Sequence, residues 1–260
     1  MIRAQLISDK AQYAARIVRT LRERGFAAYF AGGCVRDLLL QREPADYDVA
    51  TSATPQEVMR IFPKTYAVGA QFGVVLVPVL RDSEDGERES YSIEVATFRS
   101  DGAYSDGRHP DQVKFSKSAE MDVQRRDFTI NGLLYDPESG DVLDYVDGRA
   151  DLGRKVIRAI GNPHQRFAED KLRMLRAVRF AARFGYTIEP QTFSAIKKLA
   201  AQIHQVSHER IRDEVLRMLT EGQAKPAFEL LDETTLLQHV LPEIKKMQGC
   251  LLYTSPSPRD

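Results

Sequence analysis

Residues Gly32-Gly33-Cys34-Val35-Arg36-Asp37 are followed, after a short gap, by Asp46-Tyr47-Asp48. This pattern asks for a strand that ends at the glycines, a helix that opens there, and a second strand carrying the two acids. A glycine turn at a helix start, with two carboxylates nearby, is suited to gripping a nucleoside triphosphate and its magnesium ions. It points to nucleotidyl transfer.

Side chains at i and i+2 of a strand share a face, so Asp46 and Asp48 can converge on one or two Mg²⁺ ions. Gly32 and Gly33 let the backbone approach a phosphate, and Arg36, one turn into the helix, offers a bidentate fork to the same oxygens. Glu94 stands in an apolar strand beside Ile93 and Val95. It reads either as a third metal-binding carboxylate or as a strand residue facing water.

Two further runs carry charge into apolar sequence. Arg125-Arg126-Asp127 sits in an expected short helix over 122–133, next to Phe128 and Ile130, so at least one arginine should enter a site holding negative charge. Asp127 would orient that arginine or hold a ribose hydroxyl; a structural ion pair is the alternative. In an expected helix over 167–184, Arg173, Arg176, Arg179 and Arg183 fall on one stripe, with no lysine among them. Asp170 and Arg173 are neighbours at its edge. A carboxylate accepts from the exocyclic amine of cytosine or adenine while an arginine donates to the adjacent ring nitrogen, so the pair would select C and A. A solvated basic face is the plainer reading of the stripe.

The remaining signals narrow the class. Cys34 and Cys250 are the only cysteines, which gives no disulfide framework and no cysteine metal site. His204 and His208 have helical spacing but lack an acidic third ligand, and read as surface residues. No apolar run approaches the roughly 20 residues of a membrane helix, and no signal peptide is evident, so the expected compartment is the cytoplasm. Formal net charge is zero, yet residues 151–220 carry 14 Lys or Arg against 7 Asp or Glu, a net of +7. That half of the chain has the charge to grip nucleic acid.

Pattern reading gives a helix over 9–24, strands over 27–31 and 46–50, a helix opened by Thr54-Pro55, and adjacent strands over 71–80 and 91–99 joined by a polar connection. A loop rich in Asp, Gly, Ser and Pro follows over 100–112, and a further strand over 143–146. Beyond Gly161 the expected elements are all helical: 167–184, 191–203, 208–219 and 225–231. Residues 251–260, with two prolines and no apolar period, read as a disordered, non-native tail.

With these residues in hand, the chain resembles the bacterial class II branch of the polymerase β nucleotidyltransferase superfamily, the tRNA nucleotidyltransferase (CCA-adding) and poly(A) polymerase family. The resemblance runs from about Phe26 to Leu219 through five motifs in family order. They are Gly32–Asp37, Asp46–Asp48, Glu94-Val95-Ala96-Thr97-Phe98-Arg99, Arg125-Arg126-Asp127-Phe128-Thr129-Ile130-Asn131-Gly132, and the run from Glu169 to Phe180. Ser207-His208-Glu209-Arg210-Ile211 resembles the neck sequence of the CCA-adding members.

The resemblance implies an α+β fold. A palm-like head with a mixed sheet and flanking helices (1–160) would precede an all-α neck (161–222) and the start of a helical body (223–250). Gly33 and Arg36 would hold the triphosphate, Asp46 and Asp48 two Mg²⁺ ions, Arg126 the nucleotide, and Asp170 with Arg173 the incoming base. Arg176 and Arg179 would complete the nucleotide contacts. The implied reaction is template-independent transfer of CMP and AMP from CTP and ATP to the 3′ hydroxyl of tRNA, with neither DNA nor membrane as partner. A poly(A) polymerase, or a nucleotide- and RNA-binding remnant without turnover, is the alternative.

Overall fold

A computed structural model describes residues 8–67, 73–82, 88–102, 113–221 and 223–247. The first residues of the expected strand at Gln71, the middle of the polar connection after it, most of the loop over 100–112, Cys250 and the tail 251–260 lie outside the described residues.

Helix α1 (Asp9–Glu23) is capped by the Ser8 hydroxyl, which accepts from the Ala11 N–H, and it buries Ala11, Ala14, Ile17, Val18 and Leu21. Strand β1 (Ala28–Ala31) then runs into α2 (Gly33–Leu39), and β2 (Asp48–Thr51) into α3 (Pro55–Ile61). Thr54 starts α3 with a reciprocal capping box, its side chain and that of Glu57 each satisfying the other's backbone N–H. Long strands β3 (Val74–Asp82) and β4 (Arg88–Thr97) precede the small hairpin β5 (Arg99–Asp101) and β6 (Val113–Phe115). After α4 (Ala119–Gln124), β7 (Leu133–Tyr135) and β8 (Val142–Asp144) complete the main sheet.

That sheet has the order β3-β4-β2-β1-β7-β8, antiparallel throughout except for the parallel pair β2 and β4. The mixed sheet and flanking helices expected of the head are thus present. One face is packed by Val49, Val75, Val95 and Phe30 against the buried sides of α1 and α2. Asp48 belongs to the other face, with Ala50, because successive strand residues alternate. Small residues, Ala31 opposite Asp48 and Ala50 two residues on, leave that face open where the carboxylate stands.

The chain passes through α5 (Gly148–Arg154) and β9 (Val156–Ile157) into α6 (Pro163–Glu169), α7 (Leu172–Phe184), β10 (Thr187–Ile188), α8 (Pro190–Leu199), α9 (His208–Thr220), α10 (Ala224–Glu233), α11 (Leu237–Val240) and α12 (Pro242–Met247). These helices share a second core of Phe167, Leu175, Val178, Ile196, Ile203 and Leu231, joined by Phe128 and Ile130 from the head side. The region is not wholly helical, since β10 pairs in parallel with β9.

Two expected helices are corrected. The helix expected over 122–133 is α4, which stops at Gln124. Residues 127–129 instead pair with 158–160, the Thr129 N–H donating to the Arg158 carbonyl and the Ile160 N–H to that of Asp127, before a single 3₁₀ turn at Thr129–Asn131. The helix expected over 167–184 is two, because Asp170 adopts extended geometry and its Oδ1 accepts the Leu172 N–H, starting α7 afresh.

Packing at the join of the two cores is tight. A Cβ at Gly148 would lie 2.2 Å from the Thr129 carbonyl oxygen and 2.9 Å from Leu133. Gly148→Ala is therefore expected to cost about 2 kcal/mol, read as a lower urea midpoint at unchanged slope. Wild-type stability in that variant would show that the join yields to a methyl group.

Candidate functional site

The turn between β1 and α2 requires glycine for two reasons. Gly32 has φ +73°, and a Cβ there would approach Arg126 Nη1 to 3.1 Å. Behind it lies a cavity of about 430 Å³ where Gly32, Gly33, Arg36, Asp48, Arg126, Asp127, Asp170, Arg173 and Arg176 come together. Arg125, Asn131 and Phe180 complete its lining, so five guanidinium groups face three carboxylates. Guanidinium forks at this density suit the oxygens of a polyanionic ligand such as a triphosphate.

Each arginine is held. Arg36 is 4% exposed, donates from Nε to Asp37 (2.9 Å) and from Nη1 to Asn131 (2.7 Å), and has its guanidinium 5.4 and 4.6 Å from the Phe180 and Phe184 ring centres. Asn131 Nδ2 in turn donates to Asp127, whose other oxygen accepts two bonds from Arg176 at 2.9 and 2.6 Å. Burial alone would raise the Asp127 pKa, but the Arg176 charge and the bonds from Asn131, Arg176 and the Phe128 N–H outweigh it and hold the carboxyl at about 2. Asp127 therefore orients Arg176, not the adjacent arginines.

Those adjacent arginines belong to Asp122, which is 1% exposed. Its Oδ1 accepts from Arg125 at 2.9 and 2.6 Å, and its Oδ2 from Arg126 at 3.3 and 2.8 Å. Sequence reading missed Asp122. The signal was present, since Asp122 lies three and four residues before the two arginines at helical spacing, but a helix drawn as starting at residue 122 hid it.

Asp170 and Arg173, expected to read the base, both line the cavity; the Arg173 N–H donates to the Asp170 carbonyl, but each side chain is bonded elsewhere. Asp170 pairs with Arg210 of α9 at 2.8 Å, while Arg173 Nη1 bonds Glu169 (2.5 Å) and the Arg166 carbonyl (2.9 Å). Arg210 and Glu169 were also missed. They set the orientation of two groups that sequence spacing identified.

Three expected residues do not line the cavity. Arg179 is 4% exposed and turned toward α9, where Nε bonds Glu214 at 2.6 Å; the arginine stripe is thus shared between the cavity and an inter-helix ion pair. Asp46 precedes β2 instead of starting it, with its side chain 83% exposed and paired with Lys10 at 3.4 Å. Glu94 is exposed, but it is the register partner of Asp48 across the parallel strands and so shares its face. Burial, then the negative charges of Glu94 and Asp46 against the opposing Arg126, raise the Asp48 pKa to about 6. Cys34, buried beneath the turn, has its thiol pushed up to about 12 by burial and by Asp48, and stays protonated.

Residues 28–158, about half of the chain, match the Poly A polymerase head domain family. The chain belongs to the poly(A) polymerase head-domain family. A second family, described as "Probable RNA and SrmB- binding site of polymerase A", matches residues 185–248. The CCA-adding enzyme of Enterococcus faecalis is 40% identical over 247 residues, 95% of this chain and 58% of its own length. Among solved structures, the Bacillus stearothermophilus CCA-adding enzyme in complex with CTP superimposes with a TM-score of 0.77 at 40% identity, over 88% of this chain and 53% of that one. The Thermotoga maritima CCA-adding enzyme complexed with tRNA shares the fold, with a TM-score of 0.72 at 24% identity over 93% and 55% of the two chains. The chain thus spans little more than half the length of the curated relatives it matches.

For a head-domain family member, this arrangement explains how one short strand serves the site. β2 carries Asp48 on the open face of the sheet, the β1–α2 turn brings Arg36 to its side, and α7 supplies Arg173 and Arg176 from the helical half. No helix among the described residues is long and apolar enough to cross a membrane.

Proposed function

We propose that this chain is the catalytic part of a template-independent RNA nucleotidyltransferase that adds CMP and AMP from CTP and ATP to the 3′ end of tRNA, as CCA addition or part of it. The observation that carries the reading is the single cavity in which Asp48, the Gly32-Gly33 turn and the Asp170–Arg173 pair face a shared set of arginines. Residues 1–160 serve as the catalytic head, 161–222 as the neck that reads the base and meets RNA, and 223–250 as the first part of a body. A cytoplasmic location goes with these substrates.

In this reading Arg36 and Arg126 hold phosphate oxygens beside the glycine turn, and Asp170 and Arg173 select an amino-bearing base. The raised pKa of Asp48, caused by burial and neighbouring negative charge, marks a site that favours a cation. Among the described residues no three His, Cys, Asp or Glu side chains converge as a ready-made cage. This donor set fits Mg²⁺, which is held through one or two carboxylates together with substrate phosphates. Asp48 and Asp46, with Glu94 beside them, would hold it, one ion or two. When bound, the metal activates the acceptor hydroxyl and offsets charge on the phosphates.

The test is a denaturing gel with Mg²⁺, tRNA lacking its CCA end, and labelled CTP or ATP in parallel lanes. Incorporation of CMP followed by a single AMP is expected. The family's own description favours one other reading, a poly(A) polymerase, which would extend with AMP alone and leave CTP unused. Base choice is tested separately. Asp170→Ala and Arg173→Ala are each expected to cut discrimination against UTP and GTP by about 10- to 100-fold, the range of a lost bidentate base contact. Wild-type discrimination in both would remove these residues from base reading.

A further inference from the structure

With 5% of its side chain exposed, Arg36 is the most enclosed of the five arginines that line the cavity. Two phenylalanines from the other half of the molecule lie against it. Phe180 and Phe184, one turn apart on α7, stack with ring centres 6.1 Å apart and planes 15° from parallel. The Arg36 guanidinium is 5.4 Å from the first centre and 4.6 Å from the second. Leu39 and Leu40, where α2 ends, pack against the same helical core. Phe180 lines the cavity and also carries Arg176 and Arg179, at 5.2 and 4.3 Å. Phe184 does not line it, and its other cations, Arg183 at 5.4 Å and Arg42 at 5.6 Å, are exposed to water.

A buried guanidinium loses its hydration, and that loss pulls the Arg36 pKa below its ordinary value against the opposing charge of Asp37. Polar partners repair the loss by taking N–H donors, as Asp37 does at Nε and the Asn131 side-chain oxygen does at Nη1. A ring repairs it without taking any. The negative face of its π-system attracts the cation and leaves the donors at the guanidinium edge untouched. Bonds to Asp37 and Asn131 leave an N–H on each Nη atom for a ligand. Nη2 lies beside the glycine turn, 3.5 Å from where a Cβ of residue 33 would stand. A phosphate held by that turn would meet these donors, and a guanidinium already fixed in place spares the cost of ordering it on binding.

We infer that Phe184, outside the cavity, is a positioning residue for triphosphate binding: its ring holds the plane of Arg36 so that the remaining N–H groups meet phosphate oxygens at the Gly32-Gly33 turn. The inference rests on the nucleotidyltransferase reading, in which Arg36 grips the triphosphate. It gives the helical half a part in the phosphate grip as well as in base choice, since Phe184 belongs to α7 and Arg36 to α2.

The test is calorimetry on the whole chain in Mg²⁺ with CTP, inorganic tripolyphosphate, and CMP, which keeps the base and ribose of CTP but lacks its outer phosphates. Phe184→Leu retains an apolar side chain and removes the ring. Its Kd for CTP and for tripolyphosphate is expected to rise about fivefold, within the worth of one cation–ring contact. Its Kd for CMP stays within about twofold, which also reports a folded site. In an Arg36→Gln background the same substitution is expected to add less than about twofold, because the cation it acts through is gone. Phe184→Tyr restores both affinities. Equal weakening of all three probes, unchanged affinity for CTP and tripolyphosphate, or the full effect in the Arg36→Gln background would overturn the inference.

Ring electronics supply a readout that packing does not move. Trifluorophenylalanine incorporated at position 184 keeps the shape of the side chain and drains the negative face of its ring, so CTP affinity is expected to fall about as far as in Phe184→Leu. Wild-type affinity in that protein removes Phe184 from the phosphate grip. A wild type that shows this dependence for CTP and tripolyphosphate yet extends no RNA removes the catalytic reading and leaves Phe184 as the support of a triphosphate site.

Discussion

Asp48→Ala is expected to abolish nucleotide transfer, with kcat down by at least about 10³-fold, because the variant removes a carboxylate that would hold the metal and orient the reacting oxygens. Folding should survive. Asp48 lies on the open face of the sheet, next to Ala31 and Ala50, and its neighbours there include the like charge of Glu94. Removing it relieves repulsion instead of leaving a buried cation unpaired, so the melting temperature should hold or rise. CTP affinity should change only a few-fold, since Arg36 and Arg126 remain. Turnover within tenfold of wild type in a folded Asp48→Ala protein would sink the proposed chemistry.

The legible parts of this chain were those written in local sequence. The Gly32-Gly33 turn, the helix opened by Thr54-Pro55 and the adjacent strands β3 and β4 each depend on residues a few positions apart, and the structure forms them near their expected bounds. The cavity was legible to the same degree, because the residues expected to meet metal, phosphate and base sit in compact runs and nine of them line it. Long-range pairing was not legible. Nothing near Arg179 announces that Glu214, thirty-five residues on, will take it out of the cavity, and nothing in the arginine periodicity reveals the break at Asp170. The early end of α4 has the same origin, since residues 158–160 draw 127–129 into paired backbone. Asp122 is the instructive exception: it was readable from spacing alone, and a helix boundary misplaced by three residues concealed it.

Asp127→Asn is expected to show that the two halves of the site depend on one buried charge. Asp127 accepts from Arg176 on one oxygen and from the Phe128 N–H and Asn131 on the other, and Asn131 passes the constraint to Arg36. The amide keeps the shape but cannot offset Arg176, whose side chain is 31% exposed at the cavity, so the variant should lose about 2 kcal/mol at pH 7, the stabilisation that the lowered Asp127 pKa carries. Its kcat/KM for CTP should fall about 100-fold, as two arginines from opposite halves of the molecule lose their positions. The pH dependence gives an independent check. The folded value of about 2 lies below the ~3.9 of an unfolded aspartate, so the stabilisation is complete above pH ~4 and is lost as pH falls toward 2. Over that interval wild type should lose about 2 kcal/mol that the variant has already forfeited, and the two stability curves should converge in acid. Parallel curves, or wild-type stability at pH 7, would mean that Arg176 finds another partner and that the strut through Asn131 to Arg36 does not set the site.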